Sequence, residues 1–133
     1  PPRSTPKPSS AASDVYKRQL IFSCNVKDAS EFKAWSKDRA STYVHGLSEE
    51  NSISYEWHIS DDGAAATLIE SFVDSDAIMV RLANHAASPI AAEVMEQVEI
   101  TGVLCLGNAK QDAIELLSAW GAVFHKHHAG YHK

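Results

Sequence analysis

Several side chains in this 133-residue chain could do chemistry on a small molecule. His85 follows an apolar helical stripe, and imidazole is the natural proton acceptor near neutral pH. Asn25 stands near the end of an apolar run, where its amide could orient a substrate oxygen or an oxyanion. Glu56 and His58 alternate with Tyr55, Trp57 and Ile59, so a carboxylate could orient the imidazole or raise its pKa. Trp57 could stack on a planar substrate, or simply pack in a core. Glu70 sits among Leu68, Ile69 and Phe72, where a carboxylate needs a partner.

Each candidate has a plainer reading. Arg81 and Arg39 are the natural partners of Glu70, which makes a structural ion pair the expectation there. One residue of slip in the hairpin would change the face that Glu70 shares. His58, close to a turn, reads as half of a solvated pair; Glu56 lies deeper in the strand. His85 could instead cap a helix C-terminus, favoured by the helix dipole. Asn25 could bond the turn that follows it. His125, His127, His128 and His132 invite a metal, but a terminal tract without a nearby carboxylate is a poor site, and none is expected. Phe124 and Tyr131 are expected to pack across a dimer or over a pocket mouth. Cys24 and Cys105 lie inside apolar strand patterns and read as buried free thiols of a reduced, cytoplasmic protein.

The elements that must position these groups follow from periodicity and turn chemistry. Leu20–Val26 reads as a strand. A helix capped by Asp28 or Ser30 runs to about His45, with Phe32, Tyr43 and Val44 on one face and Gly46 as its C-terminal stop. Tyr55–Ile59, the turn Asp61-Asp62-Gly63 and Thr67–Val73 make a hairpin. Asp74 or Ser75 caps a helix carrying Ile78, Met79 and Leu82. Pro89 opens a short helix over Ile90–Met95. Val98–Leu106 is a fourth strand, and a helix over Gln111–Trp120 ends at Gly121. The order β-α-β-β-α-β plus a C-terminal helix predicts an α+β, ferredoxin-like fold. The strands are apolar on both faces, which predicts that a second subunit covers the sheet face without helices; the C-terminal helix is the other candidate for that role.

Residues 1–19 differ in kind. They hold four of the five prolines and no sustained apolar period, so they read as a disordered, extraneous leader before one domain over residues 20–133. The segment SDVYKRQ within them is similar to translated adapter sequence, which places the native start near Leu20. Beyond the leader, 8 basic residues face 16 acidic ones, a balance that would repel a phosphate backbone. No apolar run is long enough to span a bilayer.

The segments YEWHISDDG, LIESFVDSDA, LANH and VLCLG, in this order and spacing, resemble the antibiotic biosynthesis monooxygenase superfamily, from about Leu20 to Tyr131. The resemblance implies a dimeric α/β barrel: a homodimer with a pocket in each subunit, between sheet and helices. It implies oxidation of a small aromatic or quinol-like molecule by O₂ without metal or flavin, because a deprotonated, electron-rich substrate can itself supply electrons. On that reading Asn25 and His85 handle the reacting oxygen or proton, and Trp57, Tyr43, Glu56 and Phe72 line the substrate site. Two alternatives stay open: a non-catalytic ligand-binding or stress-response member of the same fold, and a haem-degrading monooxygenase, in whose relatives an Asn, a Trp and a His form the working set, here Asn25, Trp57 and His85.

Overall fold

Alternation along the first strand decides which way the sheet faces. In β1 (Arg18–Val26) Leu20, Phe22 and Cys24 are buried while Ser23 and Asn25 are exposed. A computed structural model of the chain describes residues 17–131. The expected disordered leader therefore lies, up to residue 16, outside the described residues. Arg18 and Gln19, assigned to that leader by composition, belong instead to β1: Arg18 pairs with Phe72 across the ladder and its Nε donates to the Asn108 carbonyl at 3.1 Å.

The remaining strands are β2 (Ser52–Ile59), β3 (Ala65–Phe72), β4 (Val98–Leu106) and β5 (Val123–His125). They form one sheet in the order β2-β3-β1-β4-β5. The first four are antiparallel neighbours, the pattern of the split βαβ arrangement, and β5 adds a parallel edge beside β4. The fold is thus the predicted ferredoxin-like one, with a fifth strand that the sequence reading did not contain.

Helix α1 spans residues 29–46. Asp28 caps it, accepting from the Glu31 amide at 2.9 Å. Its middle, Trp35–Ala40, is π-helical: the Ser41 amide reaches back five residues to the Ser36 carbonyl, and the Ser41 hydroxyl bonds the same oxygen at 2.6 Å. Gly46 is not the stop that its residue type suggested. The helix runs through it in right-handed geometry, and the left-handed residue is Ser48, at φ 52°.

Among the described residues the other helices are α2 (Ser75–Ala86), α3 (Ile90–Gln97) and α4 (Gln111–Ser118). Asp74 caps α2 through the Ala77 amide at 2.9 Å. Ala113 and Leu117 of α4 join the same core as Leu20 and Cys105, and the Lys110 amide bonds Ser75 Oγ at 2.8 Å. The four helices among the described residues therefore lie on one side of the sheet, and α4 does not cover the other side. That open face carries Ile21, Ile69 and Leu104, each half-buried. No helix among the described residues is long and apolar enough to cross a membrane.

Candidate functional site

The hairpin sets the register of the site. A tight turn after β2 has Asp62 Oδ1 accepting from the Ala64 amide at 2.9 Å and from Ser60 Oγ at 2.7 Å, with Gly63 at φ 74°. The ladder then pairs Tyr55 with Glu70 and Trp57 with Leu68 on the helix-facing side. Between these strands and helices α2 and α3 lies a cavity of about 360 Å³. Its wall is mostly apolar: Phe22, Trp57, Leu68, Leu82, Ile90 and Val94 all contribute, and Trp120 reaches it from beyond α4. Trp57 is fixed by edge-on contacts with Phe32 and Trp35, at centroid distances of 5.2 and 6.0 Å.

Four polar side chains break this wall: Tyr55, Glu70, Arg81 and His85. Glu70 is 6% exposed and Arg81 3%. Arg81 Nη1 donates to Glu49 at 3.3 Å, and Glu49 also accepts from Asn84 Nδ2 at 2.8 Å. Arg81 Nε stands 3.8 Å from Glu70 Oε1, too far for a hydrogen bond. Among the described residues no donor bonds the Glu70 carboxylate directly. Burial, opposed by Arg81 and assisted by the Glu49 charge, lifts its pKa to about 7. Burial, with the Arg81 charge adding to it, lowers the His85 pKa, so that imidazole is neutral at neutral pH. The Tyr55 phenol is pushed well above its ordinary range, first by burial, and stays protonated. Its oxygen accepts from Trp57 Nε1 at 2.9 Å, which leaves its own O–H available to a ligand.

The structure brings together only part of the residue set read from sequence. Trp57 and His85 line the cavity. Asn25 does not: Cys24 takes the cavity-facing position, and strand alternation turns Asn25 to the open face, where it donates to Glu99 at 3.1 Å. Glu56 lies on that same face, exposed and 3.2 Å from His58. Asn25 and His85 are thus on opposite sides of the sheet within one subunit, and the Asn-Trp-His set of the haem alternative does not meet there. Phe72 is wholly buried in the core. Tyr43 lies beside the core under the Arg39 guanidinium, 5.5 Å from its ring centroid, and its neighbour Val44 takes the cavity position.

Glu70 does face Arg81, as its residue type required, but Arg39 is committed elsewhere, with two bonds to Glu93 at 3.0 and 2.8 Å. Tyr55 and Arg81 join the site without having been marked for it by the sequence. The available signal was that Tyr55 and Trp57 share a strand face, while Arg81 and His85 are four apart on a helix. Both cysteines are buried and free, as expected, and burial raises the Cys24 thiol to about 11, so it is no nucleophile at neutral pH.

An apolar chamber with a few convergent polar groups has the composition that can hold a small molecule. Similarity to solved structures concerns the fold that carries this chamber. MupZ from Pseudomonas fluorescens superposes with a TM-score of 0.69 at 13% identity, over 88% of this chain and 89% of that one. SnoaB from Streptomyces nogalater, a cofactor-independent oxygenase solved as a mutant, superposes with a TM-score of 0.54 at 18% identity, over 71% of this chain and 94% of that one. The fold is theirs. These neighbours share the ferredoxin-like α+β arrangement that the sequence predicts. No protein-family model and no curated protein matches the chain.

Proposed function

We propose that this protein is an oxygenase that reacts a small planar aromatic or quinol-like substrate with O₂ without a dedicated cofactor. The observation that carries the reading is the chamber itself: about 360 Å³, walled by aromatic and aliphatic side chains, with a buried carboxylate and a neutral imidazole at its polar positions. Such a site can hold a flat ring against Trp57, withdraw a proton, and keep water from the electron-rich anion while O₂ reacts. The shared fold with SnoaB supports the same class of chemistry. The neutral His85 imidazole lines the same chamber and is available to a bound ligand. The reading includes a homodimer formed through the open sheet face, whose half-buried Ile21, Ile69 and Leu104 lack a helical cover.

Oxygen-electrode measurements with a panel of hydroquinones and naphthohydroquinones test the reading. Protein-dependent oxygen uptake with at least one of them is the expected result. Measurable binding of these compounds without uptake would show a binding protein and overturn the oxygenase assignment.

A further inference from the structure

The polar end of the cavity contains more carboxylate than its one guanidinium needs. Glu49 and Asn84 already bind each other, and Glu49 holds Arg81 Nη1 at 3.3 Å. Glu70 is the surplus acid: 6% exposed, lining the cavity, bonded by no donor among the described residues, with only Arg81 Nε nearby at 3.8 Å. A buried carboxylate that lines the chamber without a bonded donor can accept a proton from a ligand there. The groups packed around it are Tyr55 from β2, Arg81 and His85 from α2, and Glu49 from the loop before β2; Cys24 of β1 lies farther along the same wall. Of these, Arg81 is the cation and Tyr55 carries an uncommitted O–H, so both can donate to a newly formed anion, with the neutral His85 N–H as a further donor on the same wall.

Resting on the oxygenase reading of this cavity, we propose that Glu70 is its proton acceptor, and that the substrate is a phenol or enol whose hydroxyl proton passes to Glu70 while the oxyanion is held by Arg81 and Tyr55. In that step the ligand O–H bond breaks, an O–H bond forms on the Glu70 carboxyl, and the electron pair stays on the ligand oxygen. The charge of the site does not change, because one buried anion replaces another beside the same guanidinium. This is why the step suits a mostly apolar chamber. A carboxylate ligand would add another anion to a site that already has two, and an ammonium ligand would meet Arg81. Glu70, raised to about 7, is ionised just above neutrality and ready to accept.

The test uses 3-nitrophenol, whose anion absorbs at longer wavelength than its acid. It is titrated with the protein at a pH above the Glu70 value of about 7 and below the probe's own solution pKa. With the wild-type protein, the bound probe is expected to be the anion. Calorimetry in buffers of different ionisation enthalpy is expected to find no net proton released. With Glu70→Gln, the anion should appear only with release of a proton to buffer, or not at all. A neutral bound probe, a whole proton released by the wild type, no binding, or tighter binding of benzylammonium would each overturn the assignment. The wild-type measurement decides alone if the variant fails to fold. Proton transfer without oxygen uptake on quinols would leave Glu70 assigned and sink the oxygenase reading. Uptake without transfer would do the reverse.

Discussion

Glu70 and Arg81 face each other from β3 and α2 at 3.8 Å without a hydrogen bond between them. The reason is competition. Glu49 reaches the same guanidinium at 3.3 Å and is itself anchored by Asn84. Two carboxylates share one cation unequally, and the less favoured one borders the cavity.

The inequality has a pH signature. The folded state raises Glu70 from 4.5 to about 7, so it holds the proton more tightly than the unfolded chain does. The associated stability is fully present below about pH 4.5 and is lost as pH rises through about 7, on the order of 3 kcal/mol at most. Glu70→Gln removes this loss. Thermal melts should show the variant more stable than wild type near pH 8, with the gap closing toward pH 5. Parallel curves across that range would mean that Glu70 has no raised pKa.

Removing the shared cation should be costly. Arg81→Met leaves Glu49 and Glu70 buried without a countercharge, and a loss of about 3–5 kcal/mol in urea denaturation is expected. Adding Glu70→Gln to Arg81→Met should recover part of that loss. A double variant no more stable than the single one would contradict the coupling.

Trp57 combines a structural and a binding role. Trp57→Ala strips contacts with Phe32 and Trp35 and should cost about 3–5 kcal/mol. Trp57→Phe keeps a ring there but removes the indole N–H that bonds Tyr55. It should fold nearly as well while weakening binding of planar phenols by up to about tenfold, read by calorimetry. Unchanged binding would remove Trp57 from the ligand's surface.

Gly63 fixes how the hairpin meets α1. At φ 74° an added Cβ would stand 2.7 Å from Ala29 Cβ. Gly63→Ala combines a left-handed backbone with that clash, and a loss of about 1–3 kcal/mol is expected in denaturant titrations. A neutral result would mean that the turn relaxes freely.

The proposed homodimer depends on an apolar open face. Ile69→Glu puts a charge in its middle and repeats it across any two-fold axis. Light scattering should show the wild type at twice the mass of the variant, with helical content unchanged. Equal masses would place the interface elsewhere or remove it.

Residues with strong local preferences were legible in the sequence. Asp28 and Asp74 cap helices as their types suggest, and β4 spans the residues its apolar run marks out. Asn25 misleads because residue type says nothing about phase: a strand that is apolar on both faces hides which alternate residues meet the helices. β5 is too short to show a period, and its pairing with β4 is a tertiary event. The Tyr55–Glu70 juxtaposition depends on hairpin register, set by turn geometry that sequence leaves open. Glu49 was invisible for a similar reason, since it reaches Arg81 across 32 positions.

The wide π-helical turn of α1 makes the chain's length forgiving at one place. An α-helix turns about 100° per residue, so deleting one residue elsewhere in α1 would swing Val44 away from the chamber, or Trp35 away from Glu93, to which its indole N–H donates at 2.9 Å. Within Trp35–Ala40 the extra residue is already looped out of the α-helical count. A one-residue deletion there restores an ordinary helix and leaves both flanking faces aimed as before. Relatives that lack this residue can therefore keep the same chamber, and an alignment that opens a gap anywhere else in α1 would misassign its walls.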